Sequence, residues 1–126
     1  DKIAFPADSK TTLSANLTTG GEYQGCFADS GVAGYFAGGY AGSLTSGIDK
    51  VTFAADTKTT LAATLTTAIY RVGAMANIGV AGYIGGGFAL DRIDKIAFPA
   101  DTKSTLVAVL TSTVYYLSAM ADSVQS

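Results

Sequence analysis

The sequence has no histidine, no tryptophan, a single cysteine (Cys26) and two prolines, Pro6 and Pro99. Without histidine, the usual general base and the commonest metal ligand are missing. One cysteine closes no internal disulfide and reports nothing about redox compartment. Charged residues make up only 14% of the chain, the net charge is −2, and lysine and arginine form no cluster. The electrostatic footprint of a nucleic-acid or anionic-membrane binder is therefore absent. No apolar run approaches the roughly 20 residues that a membrane-spanning helix needs. No secretory or transit segment is visible; the chain opens in mid-repeat at Asp1, so any such segment is expected upstream.

What remains is glycine (15 residues), alanine and threonine in a chain of 126 residues that is 48% hydrophobic. That length suffices for one small domain with a core. The composition is β-rich and turn-rich. Self-comparison gives the strongest signal. The stretch Asp1 to Lys10 recurs as Asp49 to Lys58 and again as Asp94 to Lys103, and Gly31-Val-Ala-Gly-Tyr35 recurs as Gly79-Val-Ala-Gly-Tyr83. Residues 1–35 and 49–83, compared at an offset of 48, share 20 identities in 35 positions without a gap. The third copy follows at an offset of 45, the shortening falling after the glycine cluster, which marks a loop.

Each repeat divides into four short segments. Gly25 to Asp29 and Gly73 to Asn77 read as small-residue strands, and Val32 to Ala37 and Val80 to Gly85 as apolar strands running into glycine clusters. Ile48 to Phe53 and Ile93 to Phe98 read as a third strand, with alternating faces. Thr60 to Thr66 and Thr105 to Thr111 read as a fourth, after an Ala-Asp-Thr-Lys turn. Four strands per repeat of about 48 residues, punctuated by a glycine doublet, is the blade pattern of a propeller.

The order of these segments resembles the kelch repeat: a small-residue strand, an aliphatic-aromatic strand ending in Gly-Gly, a strand leading to an Asp-containing turn, and a strand with a large apolar residue. Gly82-Tyr83-Ile84-Gly85-Gly86 is similar to the kelch strand that ends in the diglycine. Leu61 and Leu106 sit where a kelch blade usually carries tryptophan, and Arg71 where it often carries arginine. The Ile-Asp-Lys-Ile-Ala-Phe phrase and the tight duplication also resemble kelch-like arrays of bacteriophage tail-fibre and other surface proteins. The resemblance implies an all-β fold of kelch-like β-propeller blades, about 2.6 four-stranded repeats in 126 residues. The expected division is a partial blade over 1–19, blades over 22–67 and 70–112, and the start of another over 115–126. Since propellers close with about 4 to 8 blades, the array is expected to be a fragment or part of an assembly.

A strand–helix solenoid is the alternative. Leu61, Leu65, Ile69 and Val72 have helical spacing, repeated in Leu106, Leu110, Val114 and Leu117, and Asp56 or Thr57 would cap the helix. Against it stand the many threonines of the stripe and Gly20-Gly21 in its first copy.

Chemistry finds little support. The recurrent aspartates (Asp1, Asp8, Asp49, Asp56, Asp94 and Asp101) read as turn and cap residues and as partners of lysine along a repeat face. They lie a repeat apart, and a calcium site needs 6 to 8 converging oxygens. Serine and threonine have no base to activate them. Cys26 replaces Ala74 of the next copy and reads as a small buried residue. The glycine clusters lack the Lys-Ser/Thr of a phosphate loop. No enzyme, cofactor or metal is expected.

The copies differ most in two loop sets, which in a kelch-type blade emerge on one face. That face would carry Tyr23, Tyr40, Tyr70, Arg71, Phe88, Arg92, Tyr115 and Tyr116. Aromatics with arginine are what binding hot spots use, and aromatic rings stack on sugars. The expected function is a non-catalytic structural and binding module of an extracellular or virion-surface assembly, with a protein or glycan surface and further copies of the repeat as partners. A self-polymerising fibre is the alternative; a propeller enzyme with its catalytic residues in other blades is the third reading.

Overall fold

The computed structural model describes residues 1–4, 6–18 and 21–118. Phe5, Thr19, Gly20 and most of the expected further blade start over 115–126 lie outside the described residues. The fold is all-β, with three antiparallel sheets of two, four and four strands, and no helix forms among the described residues. The first sheet is the hairpin β1 (Lys2–Ala4) and β2 (Ser9–Thr11). The second is a meander of β3 (Gly25–Asp29), β4 (Ala33–Ala37), β5 (Ile48–Thr52) and β6 (Thr57–Thr60). The third repeats it with β7 (Gly73–Asn77), β8 (Ala81–Gly85), β9 (Ile93–Ala97) and β10 (Thr102–Thr105).

The first three strands of each repeat fall within a residue of their expected bounds. The fourth does not: it begins at Thr57 and Thr102 and ends at Thr60 and Thr105, where the sequence pattern would start it. The cause is the turn. Asp8, Asp56 and Asp101 adopt left-handed backbone with φ of 48°, 52° and 55°. Aspartate tolerates that region better than most residues, and one such residue closes the turn early, so β6 pairs with β5 from Thr57↔Thr52 onward.

The apolar stripe that suggests a helix is an irregular crossing instead. Residues 61–72 run from β6 to β7 without regular structure, yet Leu65, Ile69 and Val72 are buried. The spacing reflects burial against two neighbouring sheets. Backbone bonds replace the helix: Leu65 N–H donates to the Ser46 carbonyl and Ile69 N–H to the Thr45 carbonyl. The glycine doublet makes room for this crossing. A Cβ on Gly38 would lie 2.5 Å from the Ile69 carbonyl oxygen, and Gly39 N–H donates to that same oxygen at 2.7 Å.

The second and third sheets pack face to face, β3 lying against β7 and β8. Phe27 of β3 seats over Gly82 of β8, where an added Cβ would collide with the ring. Phe27, Tyr35 and Phe98 stack across the junction, with centroids 4.9 Å apart for the first pair and 5.2 Å for Tyr35–Phe98. The Tyr35 hydroxyl donates to Asp101 Oδ1 and Lys50 Nζ to Asp101 Oδ2, at 2.8 and 2.7 Å. Burial, then the Asp101 carboxylate, push the Tyr35 phenol well above its usual range. Cys26, expected to be buried, is exposed: Gly25, Phe27 and Asp29 point into the junction, and strand alternation turns Cys26 the other way.

A polar latch fixes each crossing to the sheet it enters. Asp49 of β5 is buried; its carboxylate accepts the Thr18 amide at 2.6 Å, the Thr18 hydroxyl at 2.8 Å and the Thr60 hydroxyl at 2.7 Å. Lys58 Nζ lies 3.5 Å away and also donates to the Thr18 hydroxyl. The next repeat reproduces the set: Asp94 accepts the Thr66 amide and hydroxyl, each at 2.8 Å, and the Thr105 hydroxyl at 2.7 Å, beside Lys103. Burial alone would push these carboxyls up. The threonine donors and the lysine outweigh it and hold both below the usual carboxylate range.

Candidate functional site

Left-handed backbone recurs just before the first strand of a four-stranded sheet, at Tyr23 before β3 and at Arg71 before β7. Tyr116, at the same repeat position, shares it, the three φ values being 60°, 60° and 56°. For side chains of this size the conformation costs about 1–2 kcal/mol each. The Arg71 N–H donates to the Tyr23 carbonyl at 3.0 Å, so successive crossings are tied to each other. The diglycine-to-β5 loop is tied in as well, through paired backbone bonds between Glu22 and Tyr40.

These ties stack the side chains in two rows. In one, the Arg71 guanidinium lies over the Tyr23 ring at 5.0 Å and over the Tyr116 ring at 4.4 Å. In the other, Tyr40 and Tyr70 are 6.1 Å apart, Tyr70 and Phe88 5.8 Å, and Phe88 and Tyr115 5.2 Å. Arg71 joins the rows, 4.7 Å above the Tyr70 ring. The register explains the order: at offsets of 48 and 45, Tyr23, Arg71 and Tyr116 are one repeat position, and Tyr70 and Tyr115 the next one back.

Seven of the eight residues that the sequence assigns to this face thus form one ridge. Arg92 does not join it. Its Nη2 donates to the Thr67 hydroxyl of the crossing at 2.6 Å, and it lines a small cavity there with Leu65, Ile69 and Asp94. Two further residues belong to the ridge. Glu22 and Leu44 line, with Tyr23, Tyr40, Tyr70, Arg71 and Phe88, an open groove of about 530 Å³. Register alone would have found Glu22, which sits at the Tyr70 position; Leu44 arrives through a backbone bridge to Tyr40 that no pattern announces.

The ridge is exposed: Tyr23, Tyr40, Phe88, Tyr115 and Tyr116 each keep 42% or more of their surface in solvent. Arg71 Nε is buried and has no hydrogen-bond partner among the described residues. The groove therefore offers flat aromatic faces, one guanidinium and one carboxylate, a set suited to stacking and to hydrogen bonding with hydroxyls. Among the described residues no group of three or more His, Cys, Asp or Glu side chains is placed to hold a metal ion. A scan against protein-family models finds no match to the chain, and no curated protein matches it.

Proposed function

We propose that this chain is a non-catalytic structural and recognition module of an extracellular or virion-surface assembly, built of kelch-like blades, whose aromatic ridge engages a glycan. The observation that carries the reading is the ridge itself: six aromatic rings and one arginine in continuous contact, five of the rings exposed and Tyr70 and Arg71 half-buried between them. Exposed apolar surface of this kind, rimmed by polar groups, marks interaction sites. Stacking on the flat faces of sugar rings uses aromatic faces, and Glu22 and Arg71 supply an acceptor and donors for hydroxyls. The blade reading is supported by two successive four-stranded meanders from consecutive repeats, with their first strands adjacent.

The test is binding to an oligosaccharide array, followed by titration of any ligand found, using the unsubstituted chain and the Tyr70→Ala and Phe88→Ala variants. A bound glycan whose affinity drops at least tenfold in both variants supports the reading. A glycan bound equally by all three chains overturns the assignment to the ridge. No glycan bound at all overturns the glycan reading and leaves a protein surface as the partner.

A further inference from the structure

Both four-stranded sheets hold a small cavity where the crossing that enters them passes the diglycine and the third strand. The two cavities share their backbone frame. Gly38 N–H donates to the Gly47 carbonyl at 3.0 Å, and in the next repeat Gly86 N–H donates to the Arg92 carbonyl at 3.1 Å. The buried latch carboxylates, Asp49 and Asp94, form the same wall in each. The volumes differ: about 80 Å³ beside Asp49 and about 10 Å³ beside Asp94. The smaller has room for about one water at most, the larger for several.

The walls account for the difference. Gln24 and Phe36 line the first cavity where the smaller Val72 and Ile84 line the second, so these two positions only take up space. Thr45 stands for Leu90, a small loss. The one whole side chain that goes missing is at Gly47, the counterpart of Arg92 at the offset of 45. Arg92 lines its own cavity and donates from Nη2 to the Thr67 hydroxyl, so its guanidinium is seated inside the repeat. Among the described residues no wall of either cavity comes from the preceding sheet, so a missing neighbour does not open the first one. Thr19 and Gly20 lie outside the described residues; their counterparts, Thr67 and Ala68, are as large or larger, so those positions bring no extra side chain to fill the space.

We infer that the cavity beside Asp49 binds a guanidinium group from a ligand, in the seat that Arg92 takes in the next repeat. A guanidinium carries five N–H donors in one plane and needs acceptors around it. Asp49 Oδ2 accepts only the Thr18 amide among the described residues, which leaves a lone pair, and the Gln24 side-chain carbonyl and Thr45 hydroxyl line the same space. The Phe36 ring adds a face for the planar cation to stack on. Val72, Ile84 and Leu90, at these positions beside Arg92, offer none of this. Lys58 stands 3.5 Å from Asp49, and Lys103 stands 3.7 Å from Asp94 with Arg92 lining the same cavity, so the lysine leaves room for a second cation. The site uses no residue of the ridge or its groove and stands apart from the glycan reading.

Titration of the chain with ethylguanidinium, followed by nuclear magnetic resonance, tests it. Saturable shifts of the Gly38, Thr45 and Gly47 amides, with ethylammonium binding at least tenfold more weakly, support the site. Gly47→Arg supplies the group from within, on backbone where an added Cβ meets only Thr45 Oγ1, at 3.3 Å. That variant should keep or raise the unfolding midpoint and bind ethylguanidinium at least tenfold more weakly. Arg92→Gly opens the second cavity and should add a second set of shifts, at Gly86. A Gly-Arg-Gly peptide that binds as well as ethylguanidinium identifies the source as an arginine of a protein partner; binding of ethylguanidinium without the peptide identifies a free small cation. No saturable shift overturns the inference, as do equal binding of ethylammonium and unchanged binding in folded Gly47→Arg. Where Gly47→Arg does not fold, the absence of a second set of shifts in Arg92→Gly overturns it.

Discussion

The latch and the ridge belong to the same crossings, a few residues apart, and treat sequence in opposite ways. At the latch, Thr18, Asp49, Lys58 and Thr60 in one copy become Thr66, Asp94, Lys103 and Thr105 in the next, with every hydrogen bond kept. At the ridge, the same backbone conformation carries Tyr23, then Arg71, then Tyr116. A buried carboxylate with three protein donors has one solution, because changing any member strands the others. An exposed left-handed position constrains the backbone and leaves the side chain free. Constancy marks where the repeat holds itself together, and variation marks where it is left free for the recognition proposed for the ridge.

Three perturbations would break or sharpen that contrast. The largest effect is expected from Asp94→Ala, which removes a buried carboxylate and leaves the Thr66 amide, two hydroxyls and Lys103 without their acceptor. It should destabilise the fold by about 3 kcal/mol, read as a lower denaturant midpoint; a change below about 1 kcal/mol would show that the latch is decorative.

Acid comes next. Asp49 and Asp94 titrate below the unfolded carboxylate value, so their contribution is fully present above it and is lost as pH falls through their lower folded values. The unfolding midpoint should hold steady down to about pH 4 and fall below it. The Asp49→Asn and Asp94→Asn double variant should show a flatter acid limb. The smallest effect is expected at the ridge. Tyr116→Gly removes one ring from Arg71 but also removes backbone strain, two terms of about 1 kcal/mol and opposite sign. Stability should change by less than about 1 kcal/mol, measured by the same denaturant titration.

The sequence is most readable where one physical demand acts on a residue. Gly25 to Asp29 and Gly73 to Asn77 read as small-residue strands and match the observed strands residue for residue. It misleads where two demands overlap. Leu61, Leu65, Ile69 and Val72 carry helical spacing because an extended crossing buries residues against two sheets at irregular intervals. Thr60 and Thr105 read as the start of a strand because β-branching suits one, yet they close the strand and face the latch carboxylate. Asp49 and Asp94 read as turn and cap residues and as partners of lysine; the lysine pairing holds, while burial and the three threonine donors that make them anchors are not visible in the pattern. The aromatic ridge is legible as a set because the loops that vary between copies lie on one edge. Arg92 is drawn into that set by its loop position, and its bond to Thr67 depends on where the crossing runs.

Asp94 grips the connector that leaves the second sheet, and Asp49 the connector that leaves the first, so each sheet is held by the one that follows it. Loss of a sheet frees the tail of its predecessor and leaves its successor's grip empty. Unravelling then starts at the termini and spreads like a row of dominoes, with the sheet pair β3–β6 and β7–β10 standing longest. An array wired in this way gains endurance with every repeat added, because each new neighbour converts a fraying end into an interior.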